Sequence, residues 1–255
     1  MLYSRFTILP RSVFWLANLN GRSDNTDAIW LIGSMDVFDR ILKKLNRLRE
    51  ADPQHELHFA DEHFYNLEPT LTEAELRSAA KYYSISFPQD YRTFLKRVGN
   101  GSAGPGMGLE PLLPRKGKGP KSPSKPFPLQ RPHQRNSEMW NLDEGDWSDE
   151  TKQYAKKHEE TNATLDCQAG TFELVNYGCG ISAKLVLNGR FRGQVWVLDP
   201  NNGEYVPFGE FANLHYPDQQ LKKKDQQKPF TFTEWYEHWL NHTLSFVKRG
   251  ASGAK

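Results

Sequence analysis

Apolar residues recur every three to four positions in four stretches of this chain and every second position in a fifth. Phe38, Ile41, Leu42, Leu45 and Leu48 share one face of a predicted helix over 35–50, with Lys43, Lys44, Arg47 and Arg49 opposite and Asp52-Pro53 as the stop. Thr72 and Glu75 have the spacing of a capping box, Leu71 and Leu76 that of a hydrophobic staple, and Leu76, Ala79, Ala80 and Tyr83 continue the inner face. A further helix is predicted with Pro88 as its first helical residue, Tyr91, Phe94, Leu95 and Val98 inward and Gly99-Asn100-Gly101 as its end. From Thr171 the period shortens to that of strands. Phe172, Leu174 and Asn176 alternate, then Ala183, Leu185 and Leu187, then Val195 and Val197 past an Asn188-Gly189 turn, then Tyr205 and Val206 past Asp199-Pro200-Asn201-Asn202-Gly203. That is an antiparallel meander of three or four strands. A last helix repeats the capping logic at Thr231 and Glu234, stapled by Phe230 and Trp235, with Trp235, Tyr236, Trp239, Leu240 and Thr243 along one side.

Two regions break the pattern. Residues 113–137 hold six Pro among Lys, Arg, Gly and Ser, and 111–137 carry seven Lys or Arg and no acid. Such a composition predicts an exposed, partly extended loop. The next stretch, Glu138–Glu150, is acidic without a basic residue, and Trp140 and Trp147 within it are expected to pack back on the core. Residues 1–28 include Phe6, Ile8, Leu9, Val13, Phe14, Trp15 and Leu16, too apolar for a free tail, and read as a strand or docking arm.

Composition narrows the class. Apolar residues make up 37% of 255, low for this length, but aromatics are 13% and each buried ring removes a large area from water. A net charge of +2 argues for neither nucleic acid nor membrane as partner, and no run approaches the ~20 apolar residues of a membrane span. Cys167 and Cys179 are read as reduced thiols packed near a strand. The N-terminal Val13–Leu19 run has no cleavage pattern after it, so the expected location is the cytoplasm.

Candidate chemistry is sparse. Cys179 lies between two glycines, where a nucleophile could be presented, but no local signature ties it to His215, His238 or His242 as a base; a tight turn with a packed thiol fits better. His238 and His242 at i, i+4 lack the Glu of a zinc-protease helix, and His55, His58 and His63 form a second loose group, so no metal is assigned. Residues 101–108 are glycine-rich but have neither a preceding strand nor a following Lys, and read as a flexible helix exit rather than a phosphate loop. The basic Pro-rich loop could touch phosphates, yet no nucleic-acid-binding motif accompanies it. At the last strand–turn–strand tip, Trp196, Asp199, Glu204 and Tyr205 are the candidate partner-binding residues, with core packing as the competing reading for Trp196 and simple solvation for the charges.

Several of these segments, in order, carry a resemblance. FPQDYRTFLKRVGNG, GMGLEPL, GTFELVNYGCGISAKLVLNGRFRGQVWVLDP and FTEWYEHWL resemble the SUKH superfamily, of the SMI/KNR type, over roughly residues 35–112 and 165–245. The matching positions are Pro88, Asp90 and Tyr91; Asn100 and Gly101; Gly178, Cys179 and Gly180; Gly193 with Gln194, Val195 and Trp196; and Trp235, with Phe87 where a Leu is usual. The resemblance implies an α+β fold: a twisted, mainly antiparallel sheet with N-terminal and C-terminal helices packed on it and one long Pro-rich insertion. It divides the chain into an N-terminal extension, 1–34, and a single SUKH-like domain, 35–250, with the basic insertion at 113–137. It further implies a non-enzymatic cytoplasmic immunity protein, without cofactor, that binds and neutralises a cognate bacterial toxin. The alternative it allows is a regulatory scaffold of the cell-wall type with the Pro-rich loop as docking ligand. Neither the toxin nor the oligomeric state follows from the sequence.

Overall fold

The structure, a computed structural model, describes residues 35–57, 59–113, 121–215 and 229–253, which belong, Met35 apart, to the compact unit Asp36–Lys255. The reading of residues 1–28 lies outside the described residues, as do 114–120 of the insertion and His58. The architecture is α+β. A four-stranded antiparallel sheet of β1 (Thr171–Gly178), β2 (Ile181–Val186), β3 (Val195–Asp199) and β4 (Glu204–Pro207) runs in sequence order. Helices pack on it: α1 (Val37–Ala51), α2 (Ala60–His63), α3 (Glu73–Tyr83), α4 (Gln89–Arg97), α5 (Ser137–Asn141), α6 (Asp149–Thr164), α7 (Phe208–His215) and α8 (Phe232–Gly253).

One sheet face carries the main core. Phe172, Leu174, Ala183, Leu185, Val195, Val197 and Val206 point to one side, as the two-residue period requires, and share one core with buried residues of α1, α3, α4, α7 and α8. A register shift between Glu173 and Val175 in β1 lets Val175 join the same face. Aromatic edges tie the layers: Phe232 lies 4.8 Å from Tyr91 and 4.9 Å from Phe94, and Tyr236 lies 4.8 Å from Phe94. Asp90 links two helix starts, its carboxylate accepting from the amides of Tyr91 and Thr233. Pro88 is the residue before α4 and not its first helical position; with ψ 139° it is still extended, and the turn begins at Gln89. The capping boxes form as the spacing predicts: Thr72 with Glu75, and Thr231 with Glu234. Asn100 caps the exit from α4 by accepting from the Leu112 amide.

The other sheet face overturns the reading of the Pro-rich insertion. Phe127 and Leu129 are buried against Val186, Trp196 and Tyr205. Backbone bonds fasten the segment: the Phe127 amide donates to Asn188, Gly170 to Ser122, and His133 and Tyr205 exchange a pair at 3.0 and 2.7 Å. That last pair covers the outer edge of β4, while Met107 and Glu110 donate to Asn176 and Leu174 along the outer edge of β1. Composition misleads here because the strand residues opposite supply the apolar surface that the insertion lacks. Trp140 and Trp147 do not join the core. Trp140 stays 40% exposed under the Arg135 guanidinium, and Trp147 donates to the Leu142 carbonyl. Beneath the insertion Lys184 is buried, its ammonium 3.0 Å from Glu173. Among the described residues no helix is long and apolar enough to cross a membrane.

Candidate functional site

The four residues assigned to a partner from sequence are interior. Trp196 and Tyr205 face the insertion; Asp199 and Glu204 are 2% and 1% exposed. Asp199 accepts from the amides and side chains of Asn201 and Asn202, so its charge organises the β3–β4 turn, and Glu204 accepts from the Arg135 amide. A carboxylate spent on backbone donors in this way is a structural cap, and none of these side chains can be presented outward. Of the family-pattern positions, Tyr91 and Trp235 are core, and Gly193 closes the β2–β3 loop onto the Val186 carbonyl. Cys179, flanked by Gly178 and Gly180, is exposed at φ 51° in the β1–β2 turn. A packed thiol there is therefore corrected to an exposed one; only Cys167 sits partly under neighbouring side chains.

The fold assembles a different site. A cavity of about 300 Å³ opens between the segment 57–65, the glycine-rich loop, the end of β1, Phe208 and α8. Phe59, Tyr65, Tyr177, Phe208, Trp239 and Phe246 supply ring walls. His63 comes from one of the two loose histidine groups and His238 and His242 from the other, so the fold joins what the sequence kept apart. Among the described residues no group of three or more His, Cys, Asp or Glu is arranged to hold a metal.

The wall at 55–65 is held in a costly conformation. His55, Phe59, Phe64 and Tyr65 all have φ between 51° and 61°, a region that costs a bulky L-residue on the order of 1–3 kcal/mol. A buried carboxylate offsets it. Asp52 accepts from the amides of Glu56 and Leu57 and, at 2.5 Å, from the Tyr65 hydroxyl. Burial acts to raise the Asp52 pKa, but these donors outweigh it and hold it below the ordinary value. Burial likewise raises that of Tyr65, with Asp52 adding to it. Arg49 closes the arrangement by donating to the Tyr65 carbonyl.

His63 bridges this wall to the next. Its Nδ1 accepts from the Tyr65 amide at 3.0 Å, and the Gly104 backbone is its other partner. Burial pushes its pKa below the usual imidazole value. Both ring nitrogens are therefore engaged and the neutral form is favoured. The glycine-rich loop is not a flexible exit. Ser102 and Leu109 exchange backbone bonds at 2.7 Å, and the Tyr236 hydroxyl donates to Ala103. Gly106, at φ 54°, passes so close to β1 that a Cβ would sit 2.6 Å from the Asn176 carbonyl oxygen. Sequence reasoning misses this wall because no local motif marks it; the four glycines at 101, 104, 106 and 108 are the available signal.

Three of the cavity's polar groups are turned inward: the Tyr65 hydroxyl to Asp52, His63 to backbone, and the Thr243 hydroxyl to the Trp239 carbonyl. Carbon faces the opening. Phe246 in the wall is 57% exposed, and Phe64 and Met107, each next in sequence to wall residues, are 51% and 44% exposed. No protein-family model matches the chain, and comparisons with curated proteins and with solved structures likewise give no match.

Proposed function

We propose that this protein acts by binding, without bond-making of its own, as a SUKH-type immunity protein that neutralises a cognate bacterial toxin in the cytoplasm. Two things support the reading. The ordered motifs from Pro88 to Trp235 resemble that family, and their helix–sheet arrangement is of the α+β kind that the resemblance implies. The observation that carries most weight is the aromatic cavity, whose Tyr65 and Thr243 hydroxyls are spent internally while Phe246 in its wall stands exposed. Such a site gains energy by burying an apolar anchor, as binding interfaces do. The packed insertion weighs against the scaffold alternative, since Phe127 and Leu129 are occupied in the fold. Co-expression with the toxin encoded beside this chain tests the proposal. Growth should be restored and the two proteins should co-elute on gel filtration. Toxicity undiminished, with separate elution of two folded proteins, would refute it.

A further inference from the structure

Charge is distributed around the cavity in a way that the net value of +2 conceals. Residues 50–76, which include the strained wall, hold eight Asp or Glu and no Lys or Arg, and the preceding Arg49 is engaged by the Tyr65 carbonyl and Asn46. The other walls follow the same rule: neither 98–114, nor 193–213, nor 229–247 contains a Lys or Arg. Several surface carboxylates are matched, Glu73 of the 50–76 segment among them. Glu237 pairs with Arg40 and Lys44, Glu73 with Arg92 and Lys96, and Asp36 and Asp39 with Arg97. In the wall segment Glu56, Asp61 and Glu62 are exposed and make no ion pair among the described residues. Asp61 is close enough for its charge to act on His63 inside the cavity. Asp61 and Glu62 are the exposed members of α2, next in sequence to the cavity-lining His63.

We propose that the cavity receives an aromatic or large aliphatic side chain carried next to cationic groups on a protein partner. The apolar anchor fills the ring-lined space, and Lys or Arg beside it meet Glu56, Asp61 and Glu62. The anchor supplies the binding energy, and the carboxylates supply association rate and discrimination against acidic surfaces. This deepens the binding reading above and rests on it for the partner's being a protein.

Three small probes isolate the chemistry on the full chain. Tryptamine, indole and indole-3-acetate share one ring and differ in charge, and the ring fits a volume of about 300 Å³. Ligand titration followed by NMR at pH 7.5 should shift cavity residues such as Tyr177 and Trp239. Tryptamine should bind about threefold or more tightly than indole-3-acetate, as expected for weak, solvent-exposed charge pairs. The ratio should approach one in 0.5 M salt and in the surface variant Glu56→Gln, Asp61→Asn, Glu62→Gln, while indole binds that variant unchanged. Equal affinity for the two charged probes would assign the site to neutral apolar ligands and overturn the proposal. So would shifts at the same residues on concentrating the protein alone, which would give the cavity to a second copy. Toxin protection without charge preference would sink this inference only; charge preference without protection would sink the immunity reading and leave the cavity chemistry standing.

Discussion

His158 illustrates how single buried side chains set the conditions under which this fold holds. Its ring stacks on His133 at 4.1 Å, beneath the segment that covers β4. Burial first, then the charges of His133 and Arg135, push its pKa down to about 4. The unfolded chain takes up this proton near pH 6.5, and the folded one resists until about 4. The stability that His158 contributes is therefore present above pH 6.5 and is lost progressively as pH falls toward 4. The loss amounts to about 3 kcal/mol at most. His63, shifted in the same direction, adds to the slope. Thermal unfolding followed from pH 7.5 to 4.5 should show Tm falling, and the His158→Gln protein should show a clearly shallower slope. An unchanged slope would mean that the imidazole is not held neutral.

At the scale of elements, the pattern of apolar positions identifies α1, α3, α4, α8 and the four strands, because each has a strong period and a recognisable cap or turn. It misses α6. That helix buries Thr151, Ala155 and His158 at the right spacing, but none of these is strongly apolar, so the stripe is silent in a hydrophobicity pattern; only the Ser148 cap, accepting from the Thr151 amide, marks it. The insertion misleads for the converse reason. Its own composition is that of a solvated loop, yet two residues, Phe127 and Leu129, decide its placement. Phe127 meets Trp196 at 5.0 Å and Tyr205 at 5.3 Å. Phe127→Ala should therefore cost about 3–4 kcal/mol in urea unfolding, as a fully buried ring does. A loss under about 0.5 kcal/mol, the range of a surface substitution, would return the insertion to the solvated state that its composition suggests.

Across the whole molecule, the cavity could not be found by reading along the chain. It draws Phe59 and His63, Pro105 and Gly106, Tyr177, Phe208, and Trp239 with Phe246 from five segments spread over nearly two hundred residues. Each looks ordinary alone. The sequence offered Trp196, Asp199, Glu204 and Tyr205 instead, because aromatic and charged residues at a turn resemble an interface until burial is known. The same inversion touches the histidines: two weak groups that suggest no chemistry separately contribute three rings to one cavity. What organises the site is the strained 55–65 segment, whose backbone is held by Asp52, Arg49 and His63 rather than by local propensity.

The claim that this cavity is the recognition surface is tested most directly by the affinity of the toxin complex for a Phe246→Ala protein. Phe246 is largely exposed, so its truncation should leave the unfolding transition within about 0.5 kcal/mol of the parent. By isothermal titration the complex should weaken at least about tenfold, as for an anchor contact, while Lys43→Ala on the outer face of α1 leaves it unchanged. A Phe246→Ala protein that binds as tightly as the parent would contradict the account.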